Sequence, residues 1–186
     1  MATMKLSFTF MTACKASAFV GATLFAAESR AEQLDAGNQM QLRVHGDIVE
    51  HCEIGGGSSV DFGDLTRAGM TADIAANLNC NLPFNLRIES TRGGLTNLEH
   101  PLGQGPYAGT LPYTLSLDFA VRRPAYGIVS RSFESRTLKG AQTVSSGGGI
   151  ARNGLNLHVA LGRPAGEAGL VAGNYSDTIV INVSPT

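Results

Sequence analysis

Apolar residues at every second position recur in at least five stretches of this 186-residue chain, and no other feature restricts its fold as strongly. Successive side chains of an extended backbone point to opposite sides, so a period of two marks strands with one buried face. From Leu34 to Ile54 the even positions carry Leu34, Ala36, Met40, Leu42, Val44, Ile48, Cys52 and Ile54, interrupted at Asn38, Gly46 and Glu50. From Ile74 to Ile88 they carry Ile74, Ala76, Leu78, Cys80, Leu82, Phe84, Leu86 and Ile88. Pro83 divides that run into two strands, because proline cannot donate to a ladder. Odd positions then take over: Leu111 to Val121, Leu155 to Leu161, and Tyr175, Ile179, Ile181 and Val183 in a last strand.

Between these runs lie turn formers: Gly55 to Ser59, Arg92-Gly93-Gly94, Pro101 to Gly109, Ser145 to Gly149 and Arg163 to Gly173. Short strands with such punctuation, and no helical pattern of 10 to 15 residues, predict an all-β sandwich and exclude a βαβ arrangement. One helical turn is expected within Gly63 to Met70.

The chain opens with Lys5, passes through an apolar stretch clearest from Ala16 to Ala27, and turns polar at Glu28-Ser29-Arg30. That is the layout of a secretory signal peptide, residues 1–31, with cleavage after Ala31 or, as second choice, Ala27. The apolar run is too short to span a bilayer, so no stable membrane insertion is expected. Cleavage leaves about 155 residues, one domain's length. It removes Lys5, Lys15, Arg30 and Glu28, moving the formal charge from −1 to −3. So mild an acidic balance gives no reason to expect nucleic acid as a partner.

Cleavage also removes Cys14 and leaves an even pair, Cys52 and Cys80, each on the apolar parity of its run. In an oxidising compartment such a pair is expected to join. A disulfide closing 28 residues stabilises a fold by about 3–4 kcal/mol on the chain-entropy account.

Catalytic signatures are missing. The histidines His45, His51, His100 and His158 fall on polar parities or in a loop, and His45 and His51 would sit about 20 Å apart on an extended strand, too far for one metal. There is no GxSxG, HExxH or phosphate-cradling glycine loop, and Gly103-Gln104-Gly105 is an isolated fragment. Asp61, Asp64 and Asp118 are scattered. No enzyme activity, cofactor or metal is expected.

Three stretches together resemble the spore coat protein U domain family, which is related to the pilins of chaperone–usher fimbriae. They are Cys52-Glu53-Ile54 with Val60-Asp61-Phe62-Gly63, Leu78-Asn79-Cys80 with Pro83-Phe84-Asn85-Leu86, and Ala172 to Thr178, similar to the family's G-x-Y-x-D segment. Leu111-Pro112-Tyr113-Thr114-Leu115 adds a weaker match. The similarity runs from about Gly46 to Val183. It departs between Arg122 and Ser146, where Tyr126-Gly127 stands for a Trp-Gly element.

The resemblance implies an immunoglobulin-like, pilin-type sandwich lacking its final strand, with Tyr175, Ile179, Ile181 and Val183 as one wall of an acceptor groove. It further implies a structural subunit of a surface fimbria or coat, exported through the periplasm. The implied partners are a periplasmic chaperone, an outer-membrane usher and neighbouring subunits. Residues 32–45 form a candidate donor strand ahead of a domain at 46–186: Leu34, Ala36, Met40, Leu42 and Val44 share one face, and Gly46 can act as a hinge before a Gly46–Val49 strand. Burying four large apolar side chains is worth on the order of 6–12 kcal/mol before ordering costs. Two alternatives stay open: Leu34 to Ile54 as one long strand of its own domain, and a secreted adhesin or carbohydrate-binding sandwich acting as a self-contained monomer.

Overall fold

The computed structural model describes residues 40–57 and 59–186. The leader at 1–31 with Cys14, and the candidate donor residues Leu34 and Ala36, lie outside the described residues. Gly46–Thr186 forms one compact unit.

The unit is built from strands. In chain order they are β1 (Cys52–Gly55), β2 (Thr71–Cys80), β3 (Phe84–Ser90), β4 (Leu95–Asn97), β5 (Thr110–Leu111), β6 (Tyr113–Arg123), β7 (Ala125–Glu134), β8 (Gln142–Ser145), β9 (Leu155–Leu161), β10 (Tyr175–Ser176) and β11 (Ile179–Pro185). A five-stranded sheet runs β1-β2-β9-β6-β7, a second runs β11-β3-β8, and a small third runs β10-β4-β5. Every pairing between these strands is antiparallel. The fold is the all-β sandwich expected from the alternation.

The core sits where the inward parities meet. Leu78, Leu115, Leu117 and Leu155 of the large sheet and Phe84, Leu86 and Ile88 of β3 are buried. Phe84 and Phe119 join the two sheets, their ring centroids 5.5 Å apart and tilted by 46°. Pro83 does separate β2 from β3, yet Leu78, Cys80, Phe84, Leu86 and Ile88 all stay inside. Ser146 closes the corner: its Oγ accepts from the Phe84 amide at 3.0 Å, and its own amide donates to the Phe84 carbonyl at 2.9 Å.

Three expectations are corrected. The Gly46–Val49 strand does not form; regular pairing begins at Cys52, and Ile48 and Val49 are exposed. The reason is the partner, because β2 ends at Cys80 and offers no ladder beyond it. The Asn81 side chain replaces the ladder, accepting from the His51 amide at 2.9 Å and donating to the Val49 carbonyl at 2.8 Å. Gly63 to Met70 holds turns and no helix, fastened by Asp64, which accepts from the Thr66 amide at 3.0 Å and hydroxyl at 2.8 Å. A short 3-10 turn lies instead at Ser135–Lys139, where Leu138 is buried.

The last run is also not one strand. Tyr175 and Ser176 pair with Asn97 and Thr96 in the small sheet, whereas Ile179–Pro185 pairs with β3. The chain changes sheets at Asp177-Thr178.

Candidate assembly groove

Among the edge strands of the sandwich are β1, at one edge of the large sheet, and β11, at one edge of the second. They approach each other without pairing. Between them opens a groove of about 630 Å³. Leu115, Leu155, Leu157 and Val159 line it from the large sheet, Ile54 from β1, and Ile179 and Ile181 from β11.

The hydrogen-bond register shows which backbone groups face this gap. The Thr91 amide donates to the Thr178 carbonyl at 2.9 Å, and the Thr186 amide to the Pro83 carbonyl at 3.0 Å. In an antiparallel ladder residues alternate in bonding to one side and the other, so the even residues of β11 bond to β3. The main-chain groups of Ile179, Ile181 and Val183 therefore point away from β3, to the side where no described strand pairs. The opposite wall repeats the arrangement. Because Asn81 donates to the His51 carbonyl at 3.0 Å, the odd residues of β1 bond to β2 and those of Cys52 and Ile54 face outward. Half-buried apolar side chains and unpaired peptide groups thus belong to the same residues.

The disulfide joins Cys52 to Cys80. The two are directly opposed in the β1–β2 register, at a position where the pair exchanges no main-chain bonds and side chains lie closest. It binds neighbouring strands of one sheet, and so fixes the β1 wall of the groove.

Asp177, just ahead of β11, also lines the groove. Its carboxylate accepts from the Ser90 hydroxyl at 2.6 Å, the Tyr113 hydroxyl at 2.8 Å, and the Arg92 and Gly94 amides at 2.9 and 3.0 Å. Tyr113 is 4% exposed, and burial, with the negative charge of Asp177 beside it, pushes its phenol well above the usual range. Gly173 of the same segment has φ +142°, and a Cβ there would lie 2.6 Å from the Asn97 side-chain nitrogen. Asn97 is buried and bonds to the Glu99 and His100 amides and to the Ala172 carbonyl. The G-x-Y-x-D pattern is in this way a joint between sheets.

Of the residues singled out for the wall, Ile179 and Ile181 line the groove, while Val183 continues their face against the core. Tyr175 stands apart on β10, its hydroxyl donating to the Val171 carbonyl at 2.6 Å. Ile54 was missed as a wall residue, although its parity with Cys52 carried the signal. Of the candidate donor residues, Met40, Leu42 and Val44 have no regular secondary structure and are 89%, 75% and 85% exposed.

The sequence model of the Spore Coat Protein U domain matches residues 38–182, most of the chain. The chain belongs to the Spore Coat Protein U domain family. No curated protein and no solved structure matches it. Membership in the Spore Coat Protein U family implies a structural subunit of fimbrial or coat type. The match begins at Asn38, inside the segment expected to be the donor extension. Among the described residues no three His, Cys, Asp or Glu side chains gather as metal ligands, and no helix is long and apolar enough to cross a membrane.

Proposed function

We propose that this Spore Coat Protein U domain assembles by donor-strand exchange, the groove between β1 and β11 receiving the Leu34–Val44 segment of a neighbouring copy. The observation that carries this reading is the coincidence at Ile179, Ile181 and Val183 of half-buried apolar side chains with peptide groups turned to an unpaired edge. An added strand would satisfy both at once. The donor alternates Leu34, Ala36, Met40, Leu42 and Val44 on one side, which suits a groove apolar on one side and open on the other. Three of these are exposed in the chain itself, and so are available to a partner.

In this reading residues 1–31 direct export, a periplasmic chaperone shields the groove before assembly, and an outer-membrane usher orders the subunits into a surface fimbria or coat. The chain does no chemistry of its own. The protein, extracted from its assembled state and run unheated on a denaturing gel, should give a ladder that collapses to monomer on boiling. A synthetic Leu34–His45 peptide should bind and stabilise a chain truncated before Gly46. Monomer under both gel conditions, together with no peptide binding, would overturn the proposal in favour of a self-contained domain.

A further inference from the structure

A second hollow, of about 180 Å³, lies at the end of the β6–β7 hairpin and shares no lining residue with the groove. Arg122, Tyr126, Arg152 and Asn153 contribute its polar groups, and Ala120 and Ile150 part of its apolar surface. Two main-chain bonds build it: the Arg122 amide donates to the Ile150 carbonyl at 2.9 Å, and the Ile150 amide to the Arg122 carbonyl at 3.2 Å. That bridge holds the segment carrying Arg152 and Asn153 alongside β6. Arg122 and Tyr126 face each other in the β6–β7 register, with the guanidinium carbon 5.5 Å from the ring centroid.

The charges here are uncompensated. Among the described residues the ion pairs are Arg87–Glu89, Arg136–Glu134 and His158–Asp73, and none involves Arg122 or Arg152. No carboxylate lines the hollow. Tyr126 is 74% exposed although it is a large aromatic, in a chain that has no Trp and only 6% aromatic residues. A guanidinium offers a rigid fork matched to a planar carboxylate or to a sulfate, and an aromatic ring with a polar tip suits a ligand that is part apolar and part wet.

We propose that this hollow binds an acidic glycan, with Arg122 and Arg152 holding a carboxylate or sulfate and Tyr126 and Asn153 meeting the sugar ring. Its volume is below the range of pockets that enclose drug-sized molecules, so it takes one charged sugar unit of a longer chain. Nucleic acid fits less well: a phosphate backbone is tracked by a charged groove along the surface, whereas these two arginines line one small hollow.

The test is equilibrium binding of the purified full chain to four probes: oligogalacturonate, heparin oligosaccharide, neutral cellohexaose and single-stranded DNA. Oligogalacturonate or heparin, or both, should bind well above cellohexaose, the stronger of the two identifying carboxylate or sulfate as the charge read. Arg122→Ala and Arg152→Ala should each weaken that binding by about tenfold or more, the loss of a charge-assisted contact. Arg87→Ala, an exposed arginine on the other sheet, should leave it unchanged, and the far-ultraviolet circular dichroism of every variant should match the parent. Binding of cellohexaose or DNA as tight as that of the acidic sugars would overturn the proposal, as would unaltered binding by both arginine variants or no binding at all. Because the hollow and the groove are separate, that failure would leave the gel and peptide results untouched.

Discussion

The Tyr113 hydroxyl donates to the Asp177 carboxylate across 2.8 Å, tying the first residue of β6 to the point where the chain leaves the small sheet for β11. One carboxylate thereby fixes the start of a groove strand, the turn after β3 and the first residue of an interior strand of the large sheet. Asp177→Ala leaves the Ser90 and Tyr113 hydroxyls and the Arg92, Gly94 and Thr178 amides without their acceptor. It should lower unfolding stability by about 2–3 kcal/mol, read from urea transitions.

Tyr113 also carries a pH dependence. Its phenol is raised in the folded chain above the ordinary value of 10.0, first by burial and then by Asp177, so above that pH the folded state holds a proton the unfolded state has lost. Stability is therefore fully present below about pH 10 and falls as pH rises beyond it, by up to about 1.4 kcal/mol per pH unit. Urea titrations of the parent and of Tyr113→Phe from pH 8 to 11 should diverge only in the upper part of that range, the variant lacking this slope.

Cys52→Ser removes the link between β1 and β2. The closed loop spans 28 residues, so the loss should cost about 3–4 kcal/mol of stability in an oxidised preparation. Adding reductant should bring the parent down to the variant and leave the variant where it was. Assembled material should fall with stability; normal yields would count against a role for the bond in holding the groove.

Gly173→Ala places a Cβ against the buried Asn97 amide at a backbone angle that side chains rarely adopt. A loss of about 1–3 kcal/mol in thermal or urea unfolding is expected. Gly57→Ala, where a Cβ would meet nothing within 4 Å, should leave the transition close to the parent.

Leu42→Asp separates assembly from folding. Leu42 is 75% exposed, so the change should alter unfolding by no more than about 0.5 kcal/mol. The proposed exchange places that side chain in a neighbour's groove, and the gel ladder should vanish. A ladder equal to the parent's would remove Leu42 from the donor face.

The sandwich was legible because the inner positions of β2, β3, β6 and β9 keep one parity over long runs, even through Pro83. The β7 strand was not, since Ile128 and Val129 place apolar side chains on both faces; at a sheet edge the outward Ile128 remains exposed without penalty from a neighbour. The change of sheet at Asp177 was hidden for the opposite reason: Tyr175, Ile179 and Ile181 share a parity across the joint, so the alternation reads as continuous. The groove's wall could be found in part, through Ile179 and Ile181. Its backbone polarity could not, because which residues bond outward depends on register, and register is a property of the partner strand.

The seven-residue register between β11 and β3, from Ile179 opposite Ser90 to Pro185 opposite Phe84, bears on how such a domain would carry tension. A pull along a strand seated beside β11 loads that ladder in shear, so its bonds share the force and must fail together, where a pull across it would unzip them singly. On the other wall the covalent Cys52–Cys80 link cannot creep at all. The groove is thus bounded by one wall held by hydrogen bonds alone and one pinned covalently at a single point, so under load the two would not give way alike.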